Sequence, residues 1–139
     1  MASTINMQDM RYLNLFEKIT KIGTRFYFVY NGTIFFCVPK HLISKAVGEE
    51  GRNVRTMNNI LRKRIRIIPM PIGIQHIRPF IETIVSPVTF KDVEVKDSEV
   101  ILNAGNTQNK AALMGRNKVR LSEMQKIIHD FFGKEFRIA

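Results

Sequence analysis

The chain has 139 residues, 45% of them hydrophobic and 24% charged, so it can bury a core as one domain or as two small modules, which argues against disorder. Its 22 lysines and arginines against 12 acidic residues give a formal net charge of +10, a surface that attracts polyanions such as nucleic acid or an anionic membrane face. The single cysteine, Cys37, excludes an internal disulfide, and no apolar run approaches the roughly 18 residues of a membrane span.

The N-terminal "MASTINMQDMRYL" lacks the basic-then-apolar order of a signal peptide, so a soluble cytoplasmic protein without membrane partners is expected. From about Asn6 to Ile22, Met10, Leu13, Phe16 and Ile19 recur every three residues, with Leu15 and Ile22 widening the stripe. That spacing predicts an amphipathic helix stopped by Gly23. "TRFYFVYNGTIFFCV" then gives two β-rich runs around Asn31-Gly32, a pair that tolerates the positive φ angles of a tight hairpin. "PKHLISKAV" reads as a short helix, with Pro39 acceptable in its first turn.

A turn bracketed by Gly48 and Gly51 follows, and then "RNVRTMNNILRK", a second helix with Val54, Met57, Ile60 and Leu61 as its apolar stripe. "RIRIIPM" alternates as a strand ended by Pro69, and "PMPIG" (69–73) is the best linker in the chain. The expected modules are therefore 1–72 and 73–139.

The second half repeats the order. "HIRPFIETIVS" is a helix, and "VTFKDVEV" and "SEVILNAG" are strands around Lys96-Asp97-Ser98. "NTQNKAALM" is a short helix leading to Gly115-Arg116-Asn117-Lys118. Leu121, Met124, Ile127, Ile128, Phe131 and Phe132 mark a long helix stopped by Gly133, and "EFRIA" closes the chain as a strand. Gly48 and Gly115 lie 67 positions apart, close to half the chain, which suggests an internal duplication.

Two helices joined by a glycine turn leave backbone N–H groups free at the start of the second helix. Those donors and the positive end of the helix dipole attract a phosphate, and glycine lets a sugar-phosphate strand approach without meeting a Cβ. Around the first turn stand Lys40, Lys45, Arg52, Arg55, Arg62, Lys63, Arg64 and Arg66 against Glu49 and Glu50. Around the second stand Lys110, Arg116, Lys118, Arg120 and Lys126 against Glu123.

The αββααβ order with Gly-x-x-Gly between the inner helices resembles the prokaryotic type (type II) of KH domain. The residues that carry the resemblance are "AVGEEGRNVRTMNNILRKRIRII" and "KAALMGRNKVRLSEMQKIIHDFFG". Two such modules in tandem resemble the archaeal NusA-like transcription factors, over nearly the whole chain. The resemblance implies an α+β fold of two tandem KH modules, each a three-stranded sheet covered by helices. It further implies single-stranded RNA binding coupled to transcription elongation or termination, with no catalytic activity. Contact with RNA polymerase is implied by resemblance only, and a monomer is expected. Each Gly-x-x-Gly loop would clamp about four nucleotides.

The residues expected at RNA are Lys45, Gly48, Glu49, Glu50, Gly51, Arg52 and Arg55 in the first module. In the second they are Lys110, Gly115, Arg116, Asn117, Lys118 and Arg120. Two features depart from the family pattern. Glu49 and Glu50 put carboxylates where phosphate should lie, and the reading is that they tune the clamp or pair with a neighbouring arginine. In the second loop lysine replaces the second glycine, which adds charge but removes the freedom of close backbone approach.

Two rival functions use the same residues: a ribosome-associated RNA-binding protein or RNA chaperone, and a protein-binding adaptor with degenerate loops. Cys37 lies in an apolar strand and reads as a buried structural thiol rather than a nucleophile paired with His41. His76 and His129 are isolated, no Cys/His cluster has metal-ligand spacing, and no nucleotide-hydrolysis motif occurs, so no cofactor or metal is expected.

Overall fold

The computed structural model describes residues 6–139. The N-terminal stretch read above for a targeting signal lies partly outside them. The chain divides into two compact units, one ending at Met70 and the other beginning at Pro71, inside the proline-rich stretch.

In the first unit α1 spans Met7–Thr20 and opens on a reciprocal cap. The Asn6 side chain accepts from the Asp9 N–H at 2.8 Å, and the Asp9 carboxylate accepts from the Asn6 N–H at 3.1 Å. The buried positions are Tyr12, Phe16 and Thr20, four residues apart, and Met10 is 53% exposed. Leu13, Phe16 and Ile19 of the expected stripe pack on the core, and only Met10 departs from it: each step of three falls about 60° short of a full turn, so Met10 is carried off the face that Phe16 occupies. The helix also ends before Gly23. Thr20 Oγ1 donates to the Phe16 carbonyl at 2.8 Å and accepts from the Ile22 N–H at 3.1 Å, and Lys21 turns left-handed at φ 63.

Strands β1 (Tyr27–Tyr30) and β2 (Thr33–Val38) pair antiparallel through Asn31 (φ 51) and Gly32 (φ 75), both positive as a tight hairpin of this twist requires. After α2 (Ile43–Val47) and α3 (Arg52–Leu61), β3 (Arg64–Pro69) pairs parallel to β2, giving the order β1-β2-β3. Ile34, Phe36 and Val38 of β2 meet Tyr12 and Phe16 of α1 and Met57 of α3 in the core, where the Phe16 and Phe36 rings stack at 4.5 Å. On the other sheet face Phe28 stacks on Phe35 at 5.0 Å and the Arg66 guanidinium lies over the Phe35 ring. Arg66 is therefore engaged with a ring as a cation on its face. Ile60, placed in the apolar stripe of α3 by its sequence, is 52% exposed, and Met57 is the buried residue there.

The second unit has the same order and sheet connectivity: α4 (Ile77–Val85), β4 (Asp92–Val95), β5 (Glu99–Asn103), α5 (Thr107–Met114), α6 (Val119–Phe132) and β6 (Glu135–Ile138). β4 and β5 are antiparallel, β5 and β6 parallel. β4 is shorter than its alternating sequence suggests. The Val88 N–H bonds to the Val85 carbonyl at 2.9 Å, closing a turn, and cross-strand bonding to β5 begins only where Lys91 N–H reaches the Asn103 carbonyl at 2.8 Å. Phe80 of α4 packs on Phe131 and Phe132 of α6 at 5.1 and 5.8 Å. The fold is thus α+β, with six α-helices and two three-stranded sheets among the described residues. None of these helices is long and apolar enough to cross a membrane.

Candidate nucleic-acid interface

The two interhelical loops have one backbone written in two sequences. Gly48 sits at φ 84, ψ 166 and Gly115 at φ 75, ψ 171. Two positions on, Glu50 (φ 55, ψ 30) matches Asn117 (φ 56, ψ 26), and Gly51 (φ 74, ψ 19) matches Lys118 (φ 59, ψ 27). The hydrogen bonds coincide as well. The Gly51 N–H reaches the Gly48 carbonyl and the Lys118 N–H reaches the Gly115 carbonyl, both at 3.1 Å.

The first glycine of each loop is obligatory for two reasons. Its backbone lies in a region that only glycine occupies without strain. A Cβ on Gly48 would stand 3.0 Å from the backbone nitrogen of Asn53, and one on Gly115 would stand 3.1 Å from that of Arg120 and 2.8 Å from its Cγ. The fourth position is permissive: a Cβ on Gly51 would meet only the end of the Arg55 side chain, at 3.4 Å. Lys118 accordingly keeps the left-handed conformation that glycine has in the first loop. The replacement thus keeps the loop's backbone conformation and adds one exposed side chain to it.

Each loop is also tied from behind. Asn53 Nδ2 donates to the carbonyls of Ala46 at 3.1 Å and Lys45 at 3.4 Å, and Arg120 Nη1 donates to the carbonyl of Ala112 at 3.1 Å. Asn53 and Arg120, like Lys45 and Ala112, are 67 positions apart, so the two ties are equivalent. Arg120, expected at RNA, is half-buried and holds α5 to α6. Asn53, in the first turn of α3, is a residue that sequence reasoning misses, and its only sequence signal is its place five residues after the obligatory glycine. Arg55, although exposed, donates to the backbone carbonyl of Glu50 rather than to either carboxylate.

The remaining residues reach solvent. Lys45, Glu49, Glu50 and Arg52 are exposed in the first unit, and Lys110, Arg116, Asn117 and Lys118 in the second. Among the described residues the Glu49 and Glu50 carboxylates enter no ion pair, so the alternative in which they pair with an arginine is corrected. Neither Gly51 nor Lys118 gives the following helix a side-chain cap, whereas Asn6 and Asn106 cap α1 and α5. The Arg52 and Val119 N–H groups bond back to the carbonyls of Glu49 and Arg116, and the positive end of each helix dipole lies beside these loops.

Elsewhere, burial pushes the Cys37 thiol up to about 12, so it is no thiolate near neutral pH. Among the described residues no three His, Cys, Asp or Glu side chains gather as a metal would require.

No protein-family model matches the chain. Over 96 residues it is 29% identical to the probable transcription termination protein NusA of Methanococcus vannielii, a match covering 69% of this chain and 54% of that protein. The chain thus spans about half the length of the curated relative it matches. The crystal structure of APE1850 superposes with a TM-score of 0.67 at 19% identity, over 97% of this chain and all of the other. At that identity the likeness speaks for the fold.

Proposed function

We propose that this chain is a non-catalytic, NusA-like transcription factor that binds single-stranded RNA through two tandem KH-type modules. The observation that carries the reading is the repeated loop: two backbones of one conformation, each leading into a helix start without a side-chain cap, each within basic surroundings. The similarity to a probable transcription termination protein supports the link to transcription, and a net charge of +10 supports a polyanionic ligand. RNA phosphates would lie against the exposed basic residues and helix starts, with bases along the neighbouring surface. RNA polymerase is a further proposed partner.

Fluorescence anisotropy with a short single-stranded RNA across a salt series tests this. Counter-ion release predicts a log–log slope of about −0.7 for each phosphate neutralised. A flat salt dependence would refute the reading. The unpaired Glu49 and Glu50 carboxylates favour one alternative, a protein-binding adaptor, for which RNA affinity would be absent and a protein partner would remain.

A further inference from the structure

We infer that the two loops divide the work, with RNA affinity residing in the second loop, while Glu49 and Glu50 hold the nucleic-acid backbone off the first. This rests on the RNA-binding reading above and assigns its phosphate contact to one of two otherwise equivalent places.

The matched backbones make the comparison a controlled one. Glu49 and Glu50 put two negative charges at the tip of the first loop, where Arg116 and Asn117 stand in the second. Lys118 adds a positive charge where the first loop has Gly51, so the four-residue segments carry −2 and +2. Exposed Lys45 and Arg52, whose places Ala112 and Val119 take in the second unit, narrow the difference without reversing it. Arg55 is engaged with the Glu50 carbonyl, and Arg120 with the Ala112 carbonyl. Arg116 and Lys118 are exposed, and their side chains have no partner among the described residues. A phosphate approaching α6 meets two unengaged cations and the positive end of a helix dipole. One approaching α3 meets the same dipole and the exposed Arg52 behind two carboxylates, and like charges at that range repel.

The test exchanges the tips in the full chain. Arg116→Glu with Asn117→Glu writes the first tip into the second loop, and Glu49→Arg with Glu50→Asn does the reverse. Each exchange introduces residue types that the same φ and ψ already accommodate in the other loop, and circular dichroism checks that both variants fold. Binding is read by anisotropy with a labelled oligouridylate at several salt concentrations.

The first exchange should weaken binding about tenfold or more, as loss of a charged hydrogen bond does. It should also flatten the salt slope by about 0.7 for each phosphate no longer neutralised. The second exchange should tighten binding. If the first leaves affinity and slope unchanged while the unaltered protein binds with a steep salt slope, the division of work is overturned and RNA binding stands. An unaltered protein without salt-dependent binding overturns both.

Discussion

Alanine at the first glycine of a loop should cost several times what alanine at the fourth position costs. Gly48 at φ 84, ψ 166 lies in the region that is nearly closed to residues with a Cβ, a strain of about 1–3 kcal/mol. The new methyl group would also stand 3.0 Å from the Asn53 backbone nitrogen, in the first turn of α3, where it cannot swing aside as a side-chain end could. A total of about 2–4 kcal/mol follows once that displacement is added. At Gly51 the left-handed backbone is the same one that Glu50, Asn117 and Lys118 adopt, and the nearest atom is the mobile Arg55 guanidinium at 3.4 Å. Gly51→Ala should therefore cost only about 1 kcal/mol. Urea denaturation followed by circular dichroism measures both, with the shift in midpoint at constant slope as the readout. Equal destabilisation by the two substitutions, or a smaller loss at Gly48, would refute the assignment of the first glycine as obligatory.

Arg120→Ala removes the bond to the Ala112 carbonyl and should lower stability by about 0.5–1.5 kcal/mol in the same assay, with Arg120→Gln recovering part of the loss. Cys37 should resist iodoacetamide in the native protein at pH 8 to 9 and react only in denaturant. Its thiol rises from an ordinary 9.0 to about 12 on folding, so the folded state favours the protonated form. That contribution is complete below pH 9 and is lost as pH rises from 9 toward 12. Alkylation of the folded protein would place the thiol at the surface.

Much of the fold is legible because each module repeats strong local signals. The Asn31-Gly32 pair predicts the hairpin that both positive φ angles then form, and Met124, Ile127 and Ile128 define the buried face of α6. What misleads is spacing that ignores helical drift, as at Met10, and alternation that a turn pre-empts, as at Val88. Side-chain bonding at Thr20 accompanies the end of α1 ahead of Gly23, the stop that the sequence offers.

The loops themselves are visible as glycines at matched positions. Their internal bonding is not, because charge counting treats every arginine as outward. Arg55 and Arg120 direct their donors to carbonyls of their own chain, and Asn53 enters the tie without belonging to any motif. The equivalence of Gly51 and Lys118 is hidden for a related reason. A sequence shows that a glycine has been replaced, but only backbone angles show that the replacement keeps its conformation.

An amide NMR titration of the full chain with a single-stranded oligoribonucleotide tests most directly whether these interhelical bends meet RNA. Saturable shifts should centre on the amides of residues 115–121, with smaller ones at 48–54. Binding that leaves both stretches unmoved would contradict the account.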